Sequence, residues 1–448
     1  MIMKNKNLIK FTSLLGVMTM AGCSLPWSER LYQIDPATAN ISNSSPIVAE
    51  MPENFSGTQK APEENMIPGE AELNALSNAS LNVFYETIEN GDGVENVLIS
   101  PASLAFALSI TENGANGDTL AQMEEHVNGG ISIDDMNALL NYISYKLNNS
   151  ERVSWGVANS LWFNDKGECE IEDDFLKKAI EYYDAEVYKK AFDASTANNI
   201  NGWVYDKTNH MIDNVVNDIS SDAMLFIVNA IAFEGEWKDE YTESQIIENM
   251  EFTNADKSID KCTMLSSVED RYFTLGEGTG FIKPYKGGEY SFVGILPAKG
   301  MSTEEYIKSL VENNEDFSEA VRNADYNDVY VTMPEFSLDY CNEEMVEVYE
   351  NMGMNLPFDQ DKADLKGIFT NDSNSKVWID KIIHKTHIEV DREGTRAAAV
   401  TAVEVDTCAA VMPVAEPVVI TLDRPFVYAI VDNETGIPVF LGCMNNMQ

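Results

Sequence analysis

Residues 394–406, GTRAAAVTAVEVD, constrain the fold of this chain more than any other stretch. Read with period two, one set is Thr395, Ala397, Ala399, Thr401, Val403 and Val405. The other is Arg396, Ala398, Val400, Ala402, Glu404 and Asp406, and it holds every charge. Such alternation describes a strand with one face on a core. An ordinary core strand rarely uses so many alanines, which fill little volume and have modest β propensity. A run this small suits a segment that slides between strands already in place.

The rest of the chain supplies a body for such a strand. Leu73, Leu76, Leu81, Phe84 and Ile88 mark a helical face, closed by Gly91 and Gly93. Ser100-Pro101 opens a second helix, with Ser as N-cap and Pro in the first turn. Its body SLAFALSI is apolar nearly all round, as in a buried helix. Residues 223–233 form an apolar run suited to a central strand covered on both faces. Residues 329–338 alternate more cleanly. Residues 426–431 and 437–441 read as a hairpin across Asp-Asn-Glu-Thr-Gly. No repeat or second linker follows residue 70, so 71–448 reads as one α+β domain of nearly 380 of the 448 residues.

Residues 1–22 read as an export signal: Lys4, Lys6 and Lys10, then an apolar run over 11–21 too short to span a bilayer comfortably. Met20-Ala21-Gly22-Cys23 resembles a bacterial lipobox, which implies cleavage before Cys23 and a lipid on its sulfur. The expected location is the outer face of a bacterial membrane, held only by that lipid; an ordinary secretory signal is the alternative. Residues 23–70 are rich in Ser, Asn, Pro and Glu and read as a tether, roughly 38 Å end to end as a flexible coil. With Cys23 lipidated, five cysteines remain without C-x-x-C spacing, against a disulfide scaffold or a zinc site.

Thirty basic residues against 74 acidic ones give a formal charge of -44. So acidic a surface repels phosphate backbones and argues against a nucleic-acid partner. Enzyme constellations are wanting: the sequence has no G-x-S-x-G, H-E-x-x-H or G-x-x-x-x-G-K-[ST]. GEGTG at 276–280 reads as a hairpin loop, and Asp359, Asp361 and Asp364 lack the glycine and glutamate of a calcium loop. Along 381–391, His384 falls with the apolar set and His387 with the charged set, so the two cannot chelate one metal. No enzyme, metal site or cofactor emerges.

DREGTRAAA at 391–399 resembles the hinge of inhibitory serpins, where Gly, then Thr or Ser, then small residues precede the reactive loop. NVLISPASLAFAL, FIVNAIAFEGEW, VTMPEFS, DKADLKGIF and DRPFVYAIVDNETGIPVFLGCM resemble further motifs of that family in order, from about residue 73 to the end. The resemblance implies a serpin fold, with a large mixed or antiparallel main sheet, further sheets, eight or nine helices and an exposed loop. Gly394, Thr395, Ala397, Ala398 and Ala399 match the hinge. Ser100, Ser103, Asn229 and His384 match residues beneath the main sheet whose polar contacts hold it shut, and Trp237 matches the tryptophan where insertion begins. The implied activity is suicide inhibition of serine proteases by a monomer. The cleaved loop would enter the sheet as a strand and carry the protease across it. Thr395 to Cys408 is 14 residues, roughly 46 Å as a strand.

The resemblance implies, by the family's usual spacing from Gly394, a scissile bond at Cys408-Ala409, whereas counting back from Pro425 gives a later position; 407-408 and 409-410 are alternatives. No Lys or Arg lies between Arg396 and Arg424, so small residues face the target, which suits an elastase-like or subtilisin-like enzyme better than a trypsin-like one. Cys408 leaves cysteine proteases, or a free reactive thiol, as lesser readings. A non-inhibitory serpin-fold binding or surface protein is the alternative class. One departure is informative: Arg392 stands where the family usually has Glu, and Glu335 where it usually has Lys. The double reversal predicts a salt bridge between them.

Overall fold

The computed structural model of the chain describes residues 59–62, 68–91, 93–165, 171–212, 215–217, 219, 223–370, 377–395 and 417–447. Cys23, Ala397, Ala398, Ala399, Cys408 and Ala409 lie outside the described residues.

Nine α-helices lie among the described residues: α1 (Glu70–Asn90), α2 (Pro101–Glu112), α3 (Gly117–His126), α4 (Ile133–Asn148), α5 (Asp173–Tyr183), α6 (Ala194–Lys207), α7 (Thr303–Glu312), α8 (Phe317–Arg322) and α9 (Met345–Asn351). The strands are β1 (Val97–Ile99), β2 (Ser154–Asn164), β3 (Glu186–Lys190), β4 (Leu225–Glu236), β5 (Ile246–Thr253), β6 (Ile259–Leu275), β7 (Gly278–Pro284) and β8 (Tyr290–Pro297). They continue with β9 (Asp325–Pro334), β10 (Phe336–Asn342), β11 (His384–Val390), β12 (Gly394–Thr395), β13 (Val418–Thr421), β14 (Phe426–Asp432) and β15 (Pro438–Met444).

Among the described residues the strands form two sheets. Six join in the order β10-β11-β12-β4-β2-β3; nine join as β1-β15-β14-β8-β7-β6-β9-β13, with β5 on β6. The sheet that receives the hinge is therefore the smaller of the two. In α2 the Ser100 hydroxyl caps the helix by accepting from Ser103 N at 3.2 Å, and Pro101 follows where no backbone donor is needed. Nearly every residue of α2 is buried, as its unbroken apolar composition requires. Strand β4 is central, although Leu225, Phe226 and Ile227 at its start are only half-buried. The C-terminal hairpin β14–β15 is buried throughout, with a register shift at Ile430/Val431.

Two expectations change. The alternating stretch 329–338 is not one strand: it breaks at Glu335, between β9 of the nine-stranded sheet and β10 of the six-stranded one. The buried positions shift phase at the break, and Val329, Val331 and Met333 of β9 and Phe336 and Leu338 of β10 all enter one core, where Phe336 meets Phe426 and Tyr428 of β14. The segment expected to be a tether also meets the body: Lys60 N donates to Glu181 O at 2.9 Å, and Asn141 of α4 bonds Gln59 and Lys60.

Candidate functional site

The site lies where β12 wedges between β11 and β4. Thr395 is opposite both Val390 and Gly235, and Gly394 is opposite Glu236. Strand β12 is antiparallel to both neighbours, so those neighbours run parallel to each other. Past this two-residue wedge, no ladder joins β11 to β4 among the described residues.

A turn delivers the wedge. The Asp391 carboxylate accepts from Glu393 N at 2.7 Å and Gly394 N at 3.0 Å, and Asp391 N donates to Gly394 O at 3.0 Å. Asp at the first and Gly at the fourth position of DREG is a turn signal readable in the sequence. Gly394 is required for close approach: a Cβ there would drive into the Gly235 carbonyl. Thr395 is buried, and its hydroxyl meets Tyr285 OH at 2.6 Å. The residue that heads the small, uncharged set thus points into the core.

Trp237 closes the same end. Its Nε1 donates to Asp391 O at 2.8 Å, and its ring stacks on Tyr285 with centroids 4.8 Å apart. Beneath them Lys283 Nζ lies 5.1 Å from the Trp237 ring centroid and 4.5 Å from that of Tyr241, paired with Glu269 at 3.0 Å. Both charges are buried, so removing either would strand the other. Tyr285, Lys283 and Glu269 carry no signal as single letters; only β6–β7–β8 pairing brings them here.

Arg392 meets Glu335 where the chain switches sheets. Arg392 Nε donates to Glu335 Oε1 at 3.1 Å, the backbone N of Arg392 to the same oxygen at 3.2 Å, and Nη2 to Oε2 at 3.5 Å. The carboxylate hydrogen bond and charge raise the guanidinium pKa further above its ordinary value.

At the other end of the slot, Ser100, Ser103, Asn229 and His384 gather around the start of α2. His384 Nε2 accepts from Ser100 N at 2.9 Å, which places the ring proton on Nδ1. Burial holds its pKa down to about 4, so the ring is neutral near pH 7. Ser100 Oγ donates to Val439 O at 2.8 Å. Ser103 Oγ donates to Asn229 Oδ1; Asn229 Nδ2 donates to Asn159 Oδ1, and Asn159 Nδ2 to Tyr183 O, each at 2.7 Å. Asn229 and His384 are not bonded to each other among the described residues. Each slot edge is instead pinned separately: β4 through Asn229 to Ser103, and β11 through His384 to Ser100 and Thr386 to Leu98 O at 2.8 Å. The sequence reading missed Asn159 and Thr386, which are polar letters inside buried strands.

The six-stranded sheet thus seats Gly394 and Thr395 between two parallel strands, both pinned to the start of α2. The Serpin (serine protease inhibitor) family model matches residues 74–447, and the chain belongs to that family. It is similar to human Serpin B7, 32% identical over 353 residues, covering 73% of this chain and 88% of that protein. An uncharacterised serpin-like protein of Methanosarcina acetivorans is 28% identical over 382 residues, covering 83% and 87%. Among solved structures, the thermophilic serpin Tengpin in its native state superposes with a TM-score of 0.77 at 36% identity, covering 87% of this chain and 97% of that one.

Proposed function

We propose that this serpin inhibits serine proteases as a suicide substrate, by inserting its cleaved loop between β4 and β11. The observation that carries the reading is the Thr395 wedge, ahead of which no ladder joins β4 to β11 among the described residues. Continuing its register two residues at a time sets Ala397 between Phe233 and Ile388, and Ala399 between Ile231 and Thr386. Thr401 then arrives between Asn229 and His384, the two pinned positions. Small residues pass these points; a bulky or charged one would not.

A dozen new ladder hydrogen bonds at about 1 kcal/mol each give on the order of 10 kcal/mol to drive insertion. The scissile bond belongs at Cys408-Ala409, where an inserted strand of 14 residues carries the acylated protease roughly 46 Å. Elastase-like or subtilisin-like enzymes are the targets, since the loop offers small residues and no basic one after Arg396. The Glu335–Arg392 pair holds the hinge in register. Cys23 carries the lipid that displays the protein on the outer face of a bacterial membrane. A Cys23→Ser variant should lose incorporation of labelled fatty acid and leave the membrane fraction; unchanged labelling would remove that assignment.

Incubation with elastase, subtilisin and trypsin tests the function. A complex with either of the first two that survives denaturing electrophoresis, and none with trypsin, is the expected result. Clean loop cleavage with full recovery of every protease would leave a non-inhibitory serpin-fold protein.

A further inference from the structure

Three of the eight large apolar side chains exposed among the described residues lie side by side on the nine-stranded sheet. Val268 of β6, Tyr330 of β9 and Val419 of β13 are 58%, 48% and 69% exposed. They lie at one register: Val268 opposite Tyr330, and Tyr330 opposite Val419. Neighbouring strands lie about 4.8 Å apart, so the three form a continuous row across the sheet edge. Tyr326, two pleat repeats further along β9, is 80% exposed, with Asp328 between it and Tyr330 and the Arg271 guanidinium 5.8 Å from its ring centroid; Asp325, Asp328 and Asp270 at this end are all exposed. Pro417 enters β13 at that same acidic end, two residues before Val419.

We infer that this face is a second docking surface for the target protease, and that it selects an enzyme with an apolar patch rimmed by basic residues beside its active-site cleft. The inference rests on the inhibitory reading above. Continuity with the loop commits the patch to that occupant. From Ala409 to Pro417 the chain reaches at most about 27 Å, and an enzyme of some 250 residues has a radius of gyration of about 18 Å. A protease gripping the loop therefore lies within reach of the row. The aspartates stand at the end of the row where Pro417 enters β13, and there they would attract a basic rim and speed the encounter.

The test is binding of an elastase-like or subtilisin-like protease whose active-site serine is replaced by alanine, so that no trapping occurs. Tyr330→Ser with Val419→Ser should weaken binding about tenfold. Ile259→Ser, on an equally exposed residue away from the row, should leave it unchanged. Asp270→Asn with Asp328→Asn should slow association several-fold at low salt and not at high salt. Wild-type affinity in the row variant overturns the proposal, as does no measurable wild-type binding. So does sedimentation showing that the row variants abolish self-association instead, which would make a second copy the occupant. Covalent trapping by the active enzyme is scored separately: trapping with an inert row sinks only the patch, and binding through the row without trapping sinks only the inhibitory reading.

Discussion

Thr395 has no room for a charge. It is buried between Val390 and Gly235 with its hydroxyl on Tyr285, so Thr395→Arg places an unpaired guanidinium at the first step of insertion. The cost is several kcal/mol, enough to let deacylation win. Stoichiometry of inhibition should rise well above one; an unchanged value would mean that insertion does not begin here. Arg392 and Glu335 make the opposite case, a half-exposed pair contributing roughly 0–1 kcal/mol through a contact that positions the turn. Arg392→Glu should raise polymerisation on mild heating, measured by native electrophoresis, and adding Glu335→Lys should restore the wild-type rate. A double mutant as prone as the single one would refute that role.

Two buried groups set opposing pH dependences. His384 titrates at about 4 folded and near 6.5 unfolded, so acid removes stability between those values. Glu112 is pushed up to about 9, chiefly by burial, with the Asn128 hydrogen bond pulling the other way. Its folded form binds the extra proton, so its contribution grows as pH falls from about 9 to about 4.5 and is lost as pH rises. Between about 4.5 and 6.5 the two slopes oppose. Glu112→Gln should steepen the acid loss of stability by up to about 1.4 kcal/mol per pH unit, read from thermal midpoints across that window. Parallel midpoint curves for variant and wild type would contradict the assignment.

At the scale of elements, Gly394 decides whether β12 can form. A Cβ at this position meets the Gly235 carbonyl, so Gly394→Ala should fold normally and yet trap a smaller fraction of protease. Full trapping by this variant would mean that the chain passes β4 by another route. The elements legible in the sequence were those with one strong local signal, the Ser100-Pro101 cap and the closing hairpin; of the alternating stretch 394–406 only Gly394 and Thr395 lie among the described residues. Glu335 was legible only as a charge; that it marks a change of sheet was not, because Val331, Met333 and Phe336 all enter one core and the apolar pattern only shifts phase between them. Ser100, Ser103, Asn229 and His384 were found through family motifs, whereas Asn159, Thr386 and Tyr285 depend on strand register that no local pattern encodes. The shape of the six-stranded sheet, smaller than the nine-stranded one, also follows from long-range pairing alone.

For the whole molecule, the account requires that the uncut chain be less stable than the cut one. Its parts agree: two parallel strands held apart at one end by a wedge, both tied to the start of α2, and a supply of small residues ahead of the wedge. Cleaving the loop within residues 396–416 and recording the thermal midpoint of the purified product measures this directly. Insertion worth on the order of 10 kcal/mol should raise the midpoint by roughly 10–15 °C for a domain of this size. A cleaved protein that melts at or below the midpoint of the intact one would contradict the account.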